Sequence, residues 1–273
     1  ARYHLKFKVM EFDEGSRIAR IATMGISESA KGELRVKAAL YDRGSMVGAW
    51  EVNSWVSGGI TGGSEDNLYD SLSARYTKAL ARAMAHTKQV KAVVPLNNGF
   101  TTAYSSGDGV ALFSASHPLV SGGKNSNRPA TAADLNETSL ENATITISGW
   151  TDERGLKIAA RPSKLVIPTN YQFTATRLLD SPGRPGTADN DINAFRSLGT
   201  VPEGFTVNHY LTDTNAWFLM TDIPNGFKHF VRTPIENSMD GDFDTGNVRY
   251  KSRERYSFGV SDPLGAYGSP GSS

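Results

Sequence analysis

The chain has 273 residues, no cysteine, and a net charge of +1 from 29 Lys and Arg against 28 Asp and Glu. That length suits one large domain or two medium ones, and the missing thiol excludes disulfides, cysteine nucleophiles and cysteine-bound zinc. The balanced charge argues against a dedicated nucleic-acid-binding domain, which carries a strong basic excess, and no apolar run reaches the ~18 residues of a membrane span.

The first segment, ARYHLKFKVMEF, alternates polar and apolar residues and shows no leader-peptide pattern. Residues 1–20 read as an extended N-terminal arm. In GELRVKAALY, Leu34, Val36, Ala38 and Leu40 share one face, which is strand alternation. The turn signal DRGS follows at Asp42 to Ser45, and then a second strand with Trp50, Val52 and Val56 on one face. The expected hairpin covers about Glu33 to Val56. A two-stranded hairpin is marginal in water, so Leu40, Trp50 and Trp55 need another surface to cover them.

SGGITGGS, with Gly58, Gly59, Gly62 and Gly63, reads as a hinge. Ser64 is placed to cap a helix over 65–94, with Glu65 and Asp66 in its first turn and Pro95 ending it. Leu72, Tyr76, Leu80, Ala83, Val90 and Val94 fall on one face at 3.6 spacing. Arg75, Lys78, Arg82 and His86 form an adjoining basic stripe. Such a helix spans roughly 45 Å and suits a spine. Its basic stripe can touch phosphate or pair with acidic groups of a neighbour, such as Glu28 or Glu33; a solvated or ion-paired face is the commoner outcome.

Residues 100–130 are rich in turn formers. Thr138-Ser139-Leu140-Glu141 reads as a capping box opening a helix to about Trp150. SKLVIP reads as a short buried strand, NYQFTATRLLDS as a helix and SPGRPGTADNDIN as an exposed loop. TVNHYL, NAWFLMT and KHFVR read as strands, and GNVRYKSRERYSFGV as the longest strand of the chain.

Three stretches invite a chemical reading. Asp240, Asp242 and Asp244 alternate as in a calcium loop, but counting from Asp240 the sixth place holds Thr245 and the twelfth Lys251, where an EF-hand needs Gly and Glu. Asp244-Thr245-Gly246 occurs once, whereas an aspartic protease pairs two carboxylates, and acidic MDGDF precedes it. A tight turn with Gly246 launching a strand is the simpler reading. Ser114 and Ser116 lie beside His117 in FSASHP, but a nucleophile and its base normally come from separate elements. His4, His86, His117, His209 and His229 show no metal-ligand spacing. No cofactor is expected, and the residues point to an assembly module with an arm, a hairpin and a spine helix.

From Glu65 onward seven segments occur in order: HTKQVKAVVPLNNGF, GDGVALFSASHP, SNRPAT, DERGLKIAARPSKLVIP, RPGTADNDINAF, VNHYLTDTNAWFLMTDIPNGFKHF and MDGDFDTGNVRYKSRERYSFGVSDPLGAYGSPG. Together they resemble the major capsid proteins of tailed bacteriophages, in the group of Mu-like major head subunits. The resemblance implies an α+β, Hong Kong 97-like fold: arm (1–20), E-loop and hinge (21–64), P domain (65–130), A domain (131–235), and a return to the P-domain sheet (236–273). It also implies a homo-oligomer of hexamers and pentamers that encloses double-stranded DNA without reading its sequence. Scaffold, portal and decoration or cement proteins would be further partners. No membrane is involved, the particle is the virion, and assembly takes place in the bacterial host cytoplasm. Trp50, Trp55, Arg75, Lys78, Arg82 and His86 become candidates for contacts between subunits. Lys31 and Lys37 match no crosslinking motif. The alternatives are an encapsulin-like compartment shell and, in another class, a hydrolase using Ser114, His117 or Asp244.

Overall fold

The structure, a computed structural model, describes residues 3–13, 32–42, 45–56, 65–184, 191–241 and 248–272, with side-chain detail within 75–184, 191–240 and 251–272. The chain folds as two compact units. The first comprises residues 1–87 and 231–256, the second residues 88–230 and 257–273. The divisions expected at 130/131 and 235/236 do not coincide with them.

In the first unit β1 (Tyr3–Asp13), β2 (Gly32–Asp42) and β3 (Ser45–Val56) form a three-stranded sheet in the order β1-β2-β3. The expected hairpin is β2–β3, antiparallel from Gly32↔Val56 to Asp42↔Ser45. The arm differs from expectation. Its alternating residues add a third strand to β2, from Tyr3↔Asp42 to Asp13↔Glu33. A third strand satisfies the edge of β2 that a lone hairpin would leave open.

Helix α1 (Glu65–Asn97) starts where expected but runs past Pro95, which lies inside it. Proline lacks the N–H for one helical bond. The last turn is held from outside: Asn97 Nδ2 donates to the Tyr210 carbonyl at 3.1 Å, and its Oδ1 accepts from the Thr212 N–H at 3.1 Å. The buried face also departs from the expected stripe. Leu80 and Met84 are buried in the first unit, Val93 and Leu96 in the second, while Val90 is 39% exposed. Leu72 and Tyr76 lie outside the described side chains.

The second unit is built on a four-stranded sheet in the order β11-β8-β6-β7: β6 (Pro162–Ile167), β7 (Phe205–Val207), β8 (Trp217–Thr221) and β11 (Ala266–Ser269). β8 runs antiparallel to β6 and β11, and β7 runs parallel to β6. Alternation splits its side chains between two buried layers. Leu165, Ile167, Trp217, Leu219 and Tyr267 face a core that includes Leu140, Ala143 and Ile147 of α2 (Glu137–Ser148), Ala175 and Leu178 of α3 (Gln172–Asp180) and Phe195 of α4 (Ala194–Leu198). Phe218, Ala216 and Ala266 face the other core, with Val93, Leu96, Leu112 and Phe113. Phe100, Phe113 and Phe218 stack there, with ring centroids 5.0 to 5.9 Å apart. Gly99 and Gly268 admit Phe113: a Cβ on either would stand 2.6 or 2.9 Å from its ring.

The capping box of α2 is Asn136 with Ser139, not the expected Thr138 to Glu141. The Ser139 N–H donates to Asn136 Oδ1 at 2.9 Å, and the Asn136 N–H to Ser139 Oγ at 3.0 Å. The strand expected in TVNHYL shortens to Phe205–Val207 because Asn208 Oδ1 accepts from the Tyr210 N–H in a turn. Of SPGRPGTADNDIN, residues 185–190 lie outside the described residues.

β9 (Phe227–Gly241) and β10 (Val248–Val260) form a two-stranded ribbon. At 15 residues β9, not the 13-residue β10, is the longest strand among the described residues. Pro234 lies within β9, and each strand of a two-stranded ribbon has an unpaired edge where proline is tolerated. Ser252 Oγ donates to Asn237 Oδ1 at 2.8 Å, and a Cβ on Gly259 would touch Phe230 at 3.8 Å. From one contact to the other β9 steps back while β10 steps forward, so the strands are antiparallel.

Candidate functional site

Arg75, Lys78, Arg82 and His86 stand three or four residues apart on α1 and are all exposed. The helix therefore presents the basic stripe that the spacing predicts. In the hairpin, Trp50 pairs with Ala38 and Trp55 with Glu33. Five residues apart on one strand, the two positions belong to opposite faces of the sheet, so each would meet a different surface. Gly58, Gly59, Gly62 and Gly63 lie outside the described residues, as do Lys31, Asp242, Asp244, Thr245 and Gly246. Asp240 is the last residue but one of β9 and is exposed.

His117 is 3% exposed, and its ring is fully engaged. Nδ1 lies 2.5 Å from Asp108 Oδ2 and Nε2 lies 3.0 Å from Asn127 Oδ1. The Asn127 amide is fixed in turn, because its Nδ2 donates to the carbonyls of Leu112 (2.7 Å) and Pro263 (2.9 Å). Its Oδ1 also accepts from the Ser114 N–H at 2.8 Å, so Nε2 of His117 must be a donor. Burial raises the Asp108 carboxyl, but hydrogen bonds from Ser106, His117 and the Val110 N–H outweigh it and hold the carboxyl below its ordinary value. Ser114 Oγ accepts from the Ser116 N–H at 3.2 Å. The FSASHP cluster is thus a buried tie: Asn127 joins residues 112–117 to the Pro263 turn, and its own carbonyl accepts from the Gly268 N–H at 2.9 Å. Adjacency in sequence pointed to His117 but not to Asp108 or Asn127, nine and ten residues away.

His86 is exposed, His209 lies in a turn, and His229 stacks on Phe258 with centroids 4.6 Å apart. Among the described residues no group of His, Asp and Glu could hold a metal ion, and no helix is long and apolar enough to cross a membrane. The ribbon carries large exposed apolar side chains that the sequence reading passed over: Phe230, Val231 and Ile235 are each about half exposed. A two-sided alternation without a dominant apolar face was the available signal.

A family model described as phage capsid protein matches residues 64–269, about three quarters of the chain, and the chain belongs to that family. Similar solved structures include the capsid of Myoviridae phage XM1, at 12% identity and TM-score 0.44, covering 99% of this chain and 86% of that one. A chain of Mycobacterium phage Che8 is 14% identical at TM-score 0.41, covering 98% and 84%. A virus-like particle from Pyrococcus furiosus is 13% identical at TM-score 0.35, covering 52% of this chain; the chain spans about half that protein's length, 54%. No curated protein matches.

Proposed function

We propose that this chain is the major capsid protein of a tailed bacteriophage. Many copies close into an icosahedral head shell that encloses double-stranded DNA. The observation that carries this reading is the family match, which runs through α1, the buried sheet and the ribbon, from residue 64 to 269. Exposed apolar side chains on the ribbon support it, since a surface repeated in every copy gains contact energy in every copy.

In this reading the fold is Hong Kong 97-like and the chain is a Mu-like head subunit, a reading the seven segments support. Residues 1–20 are the arm and 21–64 the E-loop with its glycine hinge. Residues 65–130 are the P domain with α1 as its spine, 131–235 the A domain, and 236–273 the return to the P-domain sheet. The hairpin, through Trp50 and Trp55, lies over a neighbouring subunit, and Arg75, Lys78, Arg82 and His86 pair with a neighbour's acidic groups. Hexamers and pentamers form in the host cytoplasm with scaffold, portal and decoration proteins, and the product is the virion head.

Electron microscopy and sedimentation of the expressed full chain, alone and with a co-expressed scaffold partner, test the reading. Closed megadalton particles are expected. A stable monomer under every condition would overturn it, and particles that enclose protein cargo instead of DNA would replace it with a compartment shell.

A further inference from the structure

The strand β10 carries Arg249, Lys251, Arg253 and Arg255 at every second position. Strand alternation assigns all four positions to one face of the ribbon. Burial follows the same period: Lys251, Arg253 and Arg255 are exposed, Ser252 is buried, and Glu254 and Tyr256 are half-buried. With Asn237 opposite Ser252, the register sets Glu236 opposite Arg253, Pro234 opposite Arg255 and Asp240 opposite Arg249. Arg232 lies on that face too. The face then holds five basic and two acidic positions, a net of three positive charges on a chain whose total is +1.

We propose that this row binds the phosphate backbone of double-stranded DNA without reading its sequence. Three arguments favour a nucleic acid over an acidic protein. The row is even: neighbouring positions stand about 7 Å apart, and the four cover about 20 Å of strand. A polyanion with one phosphate per ~3.4 Å of each strand meets such a row in any register. Arginine provides three of the four positions, and its fork matches phosphate oxygens two at a time. Between Arg232 and Ser257 this face carries no large apolar side chain, whereas the centre of a protein interface is apolar and poor in charge. The exposed Val231 and Ile235 belong to the opposite face.

The proposal deepens the shell reading by naming a contact with the enclosed genome, yet its test needs no shell. The full chain is titrated against a fluorescent 30-base-pair duplex of mixed sequence at several salt concentrations. The variant carries Lys251→Gln, Arg253→Gln and Arg255→Gln together; a charge-matched control carries Arg154→Gln, Lys157→Gln and Arg161→Gln. Removal of three phosphate contacts should lower the slope of log Kobs against log[salt] by about 2.7 and weaken binding at least tenfold at low salt, with the control unchanged. An unchanged slope in the ribbon variant overturns the proposal, as does an equal fall in the control. Lost particle formation with unaltered DNA binding assigns the row to an acidic protein surface instead. A full slope change in a chain that never forms particles keeps the phosphate row and removes the shell reading.

Discussion

The buried four-stranded sheet and the two-stranded ribbon hold their residues in opposite ways. Every strand position from Ala216 to Leu219 is buried, and the two faces of the sheet feed two separate cores. Along β9, from Val231 to Ser238, only Thr233 is even half-buried. One region is covered on both faces, and the other leaves apolar and charged side chains exposed. A substitution in the sheet should therefore register in the subunit, and one in the ribbon should register in the assembly.

The largest effect falls on the aromatic stack. Phe113 is fully buried against Phe100 and Phe218, and Gly99 and Gly268 are shaped around its ring. Phe113→Ala should cost ~3–5 kcal/mol of subunit stability, in the range for aromatic truncation in a core. Denaturant unfolding of the subunit measures this. A loss below 1 kcal/mol would show that this layer is not the independent core assigned to it.

Asn127 comes next. It is fully buried and bonds to Leu112, Pro263, Ser114 and His117. Asn127→Ala strands all four partners, and each buried group left unpaired costs ~1–3 kcal/mol. A fall of at least ~2 kcal/mol is expected, less than the sum because water can enter the gap. This tie shows where the sequence stops being legible. The hairpin, the start of α1, SKLVIP and NAWFLMT could be read from alternation and caps, because those signals lie within a few residues. Asn127 could not, since its partner Pro263 is far along the chain. The end of α1 failed likewise: Pro95 is a local stop signal, overruled by Asn97 bonding to Tyr210 and Thr212. The site divides the same way. The basic stripe on α1 follows from helical spacing, whereas the exposure of the ribbon depends on what packs nearby.

Asp108 gives a smaller, pH-dependent effect. Its carboxyl is held below the ordinary value, so the folded state binds its proton less readily than the unfolded chain does. The stabilisation is then complete above the unfolded carboxylate pKa and is lost as pH falls through the folded one. Asp108→Asn should lower the melting temperature most at pH 7, and the gap from the unsubstituted chain should close as pH falls towards 3. A gap that is constant with pH would mean that the hydrogen bonds to Ser106 and His117 matter by shape alone, without the charge.

The smallest effect on the subunit is the one that tests the comparison most directly. Val231 and Ile235 are 52% and 51% exposed, and both belong to the ribbon face opposite the basic row. Nearly half of each side chain is already covered in the subunit, so Val231→Ser with Ile235→Ser should cost the subunit about 1 kcal/mol. In the assembled shell the same side chains would be covered. Burying apolar area contributes about 25 cal/mol per Å², so two half-exposed aliphatic side chains contribute on the order of 1–2 kcal/mol per contact. A closed shell repeats that contact in every copy, and a modest loss per copy becomes a large fall in particle yield. Subunit unfolding and particle yield, measured on the same preparation, separate the two levels. A shift in unfolding of about 1 kcal/mol or less with a collapse in yield would show that the ribbon face is an assembly surface. If unfolding shifts by 2 kcal/mol or more, the ribbon is part of the subunit's own core and the contrast between the two regions fails.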